Sequence, residues 1–360
     1  MHIQFLTPYP QGQAPSQRFR FEQYLQFLEA EGFTLSFQSF WDDKAWSVLY
    51  KPGFVFQKAV GFIKGAGRRL AILFRLSKID FVFIHRECMP IGPPFAEWII
   101  AHILKKKIIY DFDDAIWLPN TSEENKIVSW LKWHAKVKAI CRWSHRISCG
   151  NGYLYDFAKQ YNQNVVLNPT TIDTENLHNP KHYQRKKGTD CVTIGWTGTH
   201  STLQYLNLIV PVIQSLEKKF GDRIKFMVIA DKKPIVTLAS LCFISWSKGT
   251  EILDLLQFDV GVMPLTDDAW AKGKCGFKAL QYMALGIPTV ASPSRVNKGI
   301  IQDGISGYLC HTSQEWFDQL SLLIEDEEKR KRIGAMGKER VTTNYSVLSN
   351  ASNFISLFVG

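Results

Sequence analysis

The sequence predicts an α/β chain of two successive doubly wound units, each a parallel sheet wrapped by helices. Three observations carry this. At 360 residues the chain exceeds what one hydrophobic core usually serves. Short apolar runs alternate with helical patterns through both halves, the mark of parallel sheets covered on both faces. Between the halves, TTIDTENLHNPKHYQRKKGTD is rich in polar and turn residues and reads as a connection. The expected boundaries are a first domain over 1–174, a linker over 175–190, a second domain over 191–345, and a closing helical segment, 346–360, that crosses back to the first.

Taken in order, HIQFLTPYP is a strand ending in turn residues. SQRFRFEQYLQFLEAEG is a helix opened by its serine and closed by Gly32. FTLSFQSF, DFVFIHR and KKIIYDFDD read as the next strands, with PPFAEWIIAHILKK a helix between the last two. HRISCG and NVVLNP complete the first sheet. The second half restarts with the strand CVTIGWTG, one long helix TLQYLNLIVPVIQSLEKKFG, and the strands IKFMVIA and LCFISW. TEILDLLQF, the strand DVGVMPL, the strand GYLC and an amphipathic helix from about Gln314 to Leu323 follow.

Hydrophobic residues at 46% and charged residues at 21% exclude disordered and fibrous classes. Seven scattered cysteines without a CxxC pair fit a reducing compartment and core roles. No signal pattern opens the sequence, and no uncharged apolar run is long enough to span a bilayer. The formal charge of +10 calls for a polyanionic partner. Nucleic acid is not expected, because no helix-turn-helix, RRM or zinc module is recognisable. From Lys51 to Lys78 there are seven basic residues and no acidic one, interleaved with apolar residues. That pattern suits an anionic membrane surface, and it also suits a plain solvated helix.

Open parallel sheets bind ligands at the carboxyl ends of their strands. After DVGVMPL comes TDDAWAKGKCGFKALQYMALG, in which Gly273 and Gly276 lead into a helix and Lys274 and Lys278 add charge. Free amides at a helix start, with those lysines, suit a diphosphate. After KKIIY, the carboxylates Asp111, Asp113 and Asp114 are candidates to orient a ligand's hydroxyls, stabilise a developing positive centre or act as a base. A metal site and helix capping are the competing roles. Arg86 and Glu87 follow DFVFIHR, and a mutual ion pair is their plain alternative.

FDVGVMPLTDDAWAKGKCGFKALQYMALGIPTVASP, followed by DGISGYLC, resembles the donor-binding region of GT-B glycosyltransferases, in particular the retaining family GT4. FLTPYPQGQAPSQRFRFEQYLQFLEAEGF is similar to the first strand, loop and helix of that family's acceptor domain, and TIGWTGTHSTLQYL to the first strand and loop of its donor domain. The resemblance implies two Rossmann-like domains facing across a cleft. It further implies a nucleotide-sugar donor, retention of configuration and no metal or other cofactor. Donor contacts would come from Gly12, Gly198, Thr199, Lys274, Gly276, Phe277 and Lys278, with Gln281 and Glu251 on the nucleoside side and Arg18 and Arg86 on the acceptor side. Asp111, Asp113, Asp114 and Lys274 would carry the chemistry.

Two departures from the family pattern stand out. The two glutamates expected eight positions apart are Gly273 and Gln281, and the usual Arg and Lys after the first donor strand are missing, leaving only His200. The expected acceptor is a sugar, glycan or lipid-linked hydroxyl used in surface polysaccharide, glycolipid or glycan synthesis. The expected place is the cytoplasm, at the inner face of the cell membrane, with residues 51–78 in peripheral contact. A sugar-nucleotide epimerase of the same architecture and a non-catalytic sugar-nucleotide or polysaccharide-binding subunit are the alternatives.

Overall fold

The structure, a computed structural model, describes residues 1–119, 131–184 and 191–359. The chain forms two compact units. The first takes residues 1–170, 273–275 and 350–360, and the second takes 171–272 and 276–349.

The first unit is built on β1 (His2–Thr7), β2 (Thr34–Ser39), β3 (Phe81–His85), β4 (Lys107–Phe112), β5 (Arg146–Cys149) and β6 (Val165–Leu167). All pair in parallel in the order β2-β1-β3-β4-β5-β6. The inner strands read as unbroken apolar runs because helices cover both faces, and Ile3, Phe5, Val82, Phe83, Ile84, Ile108 and Ile109 are fully buried. Residues 350–360 add an aromatic layer to this unit. Phe354 stacks on Tyr24 at 4.5 Å, and Phe358 packs against Phe81 and Phe83.

In the second unit β7 (Val192–Gly198), β8 (Ile224–Ala230), β9 (Leu241–Ser245), β10 (Val260–Met263), β11 (Thr289–Ala291) and β12 (Tyr308–Leu309) are parallel in the order β12-β11-β10-β7-β8-β9. Its core joins Trp196, Phe226, Val228, Val260 and Val262 to Leu320 and Leu323 of the Ser313–Glu325 helix.

Several helices differ from the sequence expectation. The early helix is broken into Pro15–Arg18, a 3₁₀ turn at Glu22–Tyr24, and Leu25–Ala30. It starts on Pro15, whose fixed φ and missing N–H suit the first helical position, and not on the serine. The expected helix after β7 is a 3₁₀ stretch, His200–Leu208, and then Val210–Phe220. Pro211 sits at the restart because its ring cannot continue the helix before it. After β3 the helix Phe95–Trp98 passes into a π-helical Ile99–Ile103. A long helix, Glu327–Asn344, escaped the sequence reading. Its buried seam is Ile333, Gly334, Gly337 and Val341, so close packing replaces the apolar stripe that periodicity detects.

Among the described residues no helix is long and apolar enough to cross a membrane. All seven cysteines are free thiols, five of them buried.

Each sheet reverses strand order at one point, between β1 and β3 in the first unit and between β7 and β10 in the second. Loops leaving neighbouring strands on opposite faces open a crevice there. Gly12 and Arg86 follow the strands flanking the first point; at the second, Gly198 ends β7 and Gly276 follows β10.

Candidate functional site

In the first unit the loop after β1 carries Gly12 at φ +75°, a conformation glycine adopts without strain. Its N–H donates to Glu22 Oε2 (2.8 Å). Gln17, fully buried, donates to Glu22 Oε1 (3.2 Å) and to the Tyr9 carbonyl (3.0 Å), and its Oε1 accepts from the Tyr9 N–H (2.9 Å). Burial raises the Glu22 carboxyl, against the lowering effect of the Gln17 and Gly12 hydrogen bonds. Gln17 and Glu22 thus brace the loop, a role that only the folded contacts reveal. Arg18 lies over the Phe19 ring, 4.8 Å from its centroid.

The three aspartates do not form one group. Asp111 lies within β4, so it inherits the burial of the strand. Its Oδ1 meets Arg20 Nη2 at 2.5 Å and Ser148 Oγ at 2.6 Å, and its Oδ2 meets His85 Nδ1 at 2.8 Å. Burial alone would raise this carboxyl, but Arg20 and His85 outweigh it and hold it far below the usual carboxylate range. Asp111, grouped in the sequence with the carboxylates offered to substrate, has both oxygens engaged inside the unit. Its place is that of a buried anchor joining β3, β4, β5 and the segment before β2. Arg20 and His85 lie in stretches the sequence singles out, but no local pattern shows that they meet Asp111, 91 and 26 positions away.

Asp113 and Asp114 lie beyond the strand end and face a different set. Arg86 Nε and Nη2 donate to Asp113 Oδ1 at 3.0 and 2.7 Å, Arg86 Nη2 also reaches Asp114 Oδ2 at 2.8 Å, and Lys274 Nζ reaches Asp114 Oδ1 at 2.8 Å. These four side chains are 13–22% exposed. Two cations and two anions therefore form a shielded, formally neutral square at the ends of β3 and β4. Burial pushes against ionisation of Asp114, yet Lys274 and Arg86 prevail and lower its carboxyl below the usual range. Lys274 is raised by Asp114 against the opposing effect of burial. Arg86 pairs with this square and not with Glu87, whose carboxylate binds Lys136 at 2.7 Å. Arg86 also holds φ +62°, which costs a non-glycine residue free energy and aims its side chain at the aspartates.

Lys274 and Lys278, four residues apart, belong to different units. Gly273 packs against Ala115 in the first unit, where an added Cβ would lie 2.7 Å from both the Ala115 nitrogen and its Cβ. No side chain fits at position 273 without displacing the chain after Asp114.

In the second unit Gly198 ends β7, and a Cβ there would collide with the Trp196 ring and lie 2.7 Å from Thr202 Oγ1. Thr199 caps the turn that follows through a reciprocal bond with Thr202. His200 is held to Asp231 by both its N–H and its Nδ1, each at 2.6 Å. After β10, Gly276 at φ +70° opens the Phe277–Ala284 helix. Lys278 Nζ lies 4.9 Å from the centroid of the buried Trp196 ring, and Thr197 N–H donates to Tyr282 Oη at 2.9 Å, so this helix is tied to β7. Gln281 Nε2 donates to Glu251 Oε1 at 3.2 Å and lies 3.3 Å from His178 Nε2. These three polar side chains are almost wholly buried together, and His178, in the expected connection, is the member the sequence reading missed. Among the described residues no group of three or more His, Cys, Asp or Glu is placed to hold a metal ion.

Gly276→Ala puts a side chain into a left-handed conformation and against Ile300 Cδ1. A loss of about 2 kcal/mol or more is expected, seen as a lower melting temperature of purified protein. An unchanged melt would show that the helix start tolerates a Cβ.

A model of the family "Glycosyl transferases group 1" matches residues 237–340, which include β10, the Gly276 helix start and β11. Among curated proteins, the chain is 27% identical over 79 residues to spore coat protein SA of Bacillus subtilis, a match that spans 21% of each chain. Among solved structures, it superposes on sucrose-phosphate synthase from Thermosynechococcus elongatus with a TM-score of 0.70 at 11% identity, covering 99% of this chain and 98% of the other. It superposes on HepE of Anabaena in complex with UDP with a TM-score of 0.63 at 13% identity, covering 99% of each chain. Residues 237–340 thus resemble the group 1 glycosyl transferases, and a GT-B-like fold runs through nearly the whole length of the chain.

Proposed function

We propose that this protein is a glycosyltransferase that moves a sugar from a nucleotide-diphosphate sugar to an acceptor hydroxyl, with retention and without a metal. The observation that carries the reading is the crossover after β10, inside the family segment. There a left-handed glycine opens a buried helix at the strand-order reversal of the second sheet. A helix start in that place presents amides and partial positive charge to a diphosphate. The UDP complex of HepE, similar in fold, is compatible with a nucleotide diphosphate as ligand.

In this reading Gly12, Gly198, Thr199, Gly276, Phe277 and Lys278 serve the diphosphate, and Glu251, Gln281 and His178 the nucleoside. Lys274 stabilises the departing diphosphate by charge, which is the effect expected to lower the barrier most as the sugar bond breaks. Asp114, its carboxyl lowered by Lys274 and Arg86, and Asp113, paired with Arg86, supply carboxylates to the sugar centre or the acceptor hydroxyl. Ala115, the residue after Asp114, packs against Gly273, where a side-chain carboxylate has no room. Arg18 and Arg86 serve the acceptor side, and Asp111 keeps β3 to β5 in register behind them. The first unit, by this assignment, binds the acceptor and the second the donor. The acceptor is a sugar, glycan or lipid-linked hydroxyl in surface polysaccharide, glycolipid or glycan synthesis. The enzyme works in the cytoplasm at the inner membrane face, with residues 51–78 in peripheral contact.

The test is thermal stabilisation by UDP, GDP, CDP, dTDP and ADP. A diphosphate at a hundred times its dissociation constant stabilises by about 2.7 kcal/mol. One member of the panel should do so in the wild type, with a reduced effect in Lys278→Ala. No response from any of the five at saturating concentration would sink the donor assignment.

A further inference from the structure

The Val55–Leu73 helix of the first unit is apolar on two sides. Its buried side combines small residues and the anchored Arg69 with Phe62, which packs on Phe40 and Trp41, and Leu73. Gly61 and Gly65 let it sit so close that an added Cβ would come within 2.6 Å of Ala45 and of the Phe40 carbonyl oxygen. Arg69 donates to the Thr7 carbonyl at 2.6 Å, the Gln38 carbonyl at 2.7 Å and the Cys88 carbonyl at 2.9 Å. The side facing solvent is apolar as well. Phe56, Ile63 and Leu70, with Phe74 just past the helix end, are 78, 69, 57 and 88% exposed. At 100° per residue these four fall within about 40° of one another, along about 27 Å of helix.

The patch does not end with this helix. The connections from β2 to β3, β3 to β4 and β4 to β5 all step the same way along the sheet, so right-handed crossovers place their helices on one face. The Phe95–Trp98 helix accordingly packs beside Val55–Leu73, and Phe95 and Trp98 are 67 and 42% exposed. Lys106 Nζ, donating to the Ser77 carbonyl at 2.7 Å, ties the two connections together. Within the segment that carries the stripe the charge has one sign. From Lys44 to Ile79 there is no Asp or Glu, while Lys64, Arg75 and Lys78 are exposed beside the apolar stripe. A second protein would usually meet such a surface with mixed polarity. A bilayer with anionic headgroups meets it with apolar depth and a uniform negative plane.

We infer that this helical face of the first unit is a monotopic membrane-binding surface. Phe56, Ile63, Leu70, Phe74, Phe95 and Trp98 enter the acyl boundary, and Lys64, Arg75 and Lys78 contact anionic headgroups. This rests on the membrane contact already proposed for residues 51–78. It adds the inserting side chains, the orientation of the helix, and a second element that the charge pattern of the sequence did not include. Lysine and arginine stems lying along the apolar stripe, with their charged ends at the headgroups, complete such a surface.

The experiment is flotation of the full chain with phosphatidylcholine vesicles and with vesicles that also contain phosphatidylglycerol, at low and high salt. Wild-type protein should float with the anionic vesicles, weakly or not at all with the neutral ones, and less at high salt. Phe56→Ser with Phe74→Ser should lower the partition by about tenfold or more, and so should Lys64→Gln with Arg75→Gln at low salt. Both double variants should keep the wild-type melting temperature, since these side chains support no core. Wild-type protein that stays in the soluble fraction overturns the inference, and so does equal binding to both vesicle types or a Phe variant that floats like the wild type. A lipid-free dimer that the Phe variant converts to monomer assigns the face to a second copy and overturns it too. Stabilisation by the nucleoside diphosphates is read on the same preparations, so failure of the donor assignment and failure of this surface are separate results.

Discussion

Arg20→Leu is expected to lose about 3–5 kcal/mol of stability in the first unit, because it leaves the Asp111 carboxylate charged, buried and short of its main counter-ion. The guanidinium also donates to the Asn168 carbonyl and to Ser148 Oγ, so two more buried acceptors lose a donor. Urea unfolding followed by hydrogen exchange of the β4 and β5 amides measures the loss in this unit by itself, which matters because two units need not unfold together. Adding Asp111→Asn should recover part of the loss, since a neutral amide suffers less from burial. A single variant as stable as the wild type would show that the pair contributes nothing. The same pair sets an acid limit. The folded Asp111 carboxyl is held below its unfolded value, so its contribution is complete above the unfolded pKa, near 4. It fades as pH falls from there toward the folded value. In Arg20→Leu the stability curve should be flatter over that acid range.

Lys274→Ala is expected to lower kcat/KM for sugar transfer by about 100- to 1,000-fold, the range for removing one preorganised group that stabilises developing negative charge. Asp114 keeps Arg86 at 2.8 Å in the variant, so the square loses one cation without leaving a bare carboxylate, and the fold should persist. Transfer is read as nucleoside diphosphate release dependent on acceptor, beside a melting curve of the same protein. A variant that melts early yet turns over normally would make Lys274 a structural tie. A stable variant with depressed turnover supports charge stabilisation of the leaving group.

The two-sheet architecture is legible in the sequence alone. Strands buried on both faces must be continuous apolar runs, as DFVFIHR and KKIIY are, and runs of that kind separated by helical periodicity leave few topologies open. The sequence also directed attention to the segments after the strands, because in such sheets those segments hold the side chains free to act. It could not see the Glu327–Asn344 helix, whose glycine seam has no apolar period, or the interruption of the helix Pro15–Ala30.

Partnership was left to the tertiary structure. Asp111, Asp113 and Asp114 are near neighbours in sequence, yet the first is sealed by Arg20, 91 positions away, while Asp114 meets Lys274, 160 positions away. Gln281 finds Glu251 and His178 over 30 and 103 positions. The direction in which Phe56, Ile63, Leu70 and Phe74 point was decided in the same way. Apolar spacing defines a stripe on a helix, but only the close seat made by Gly61 and Gly65 turns the opposite side toward the sheet and leaves this one to solvent. Local patterns fix elements because backbone hydrogen bonding and burial repeat with the period of the chain. Charge pairs and exposed faces depend on which elements meet, and no local period records that.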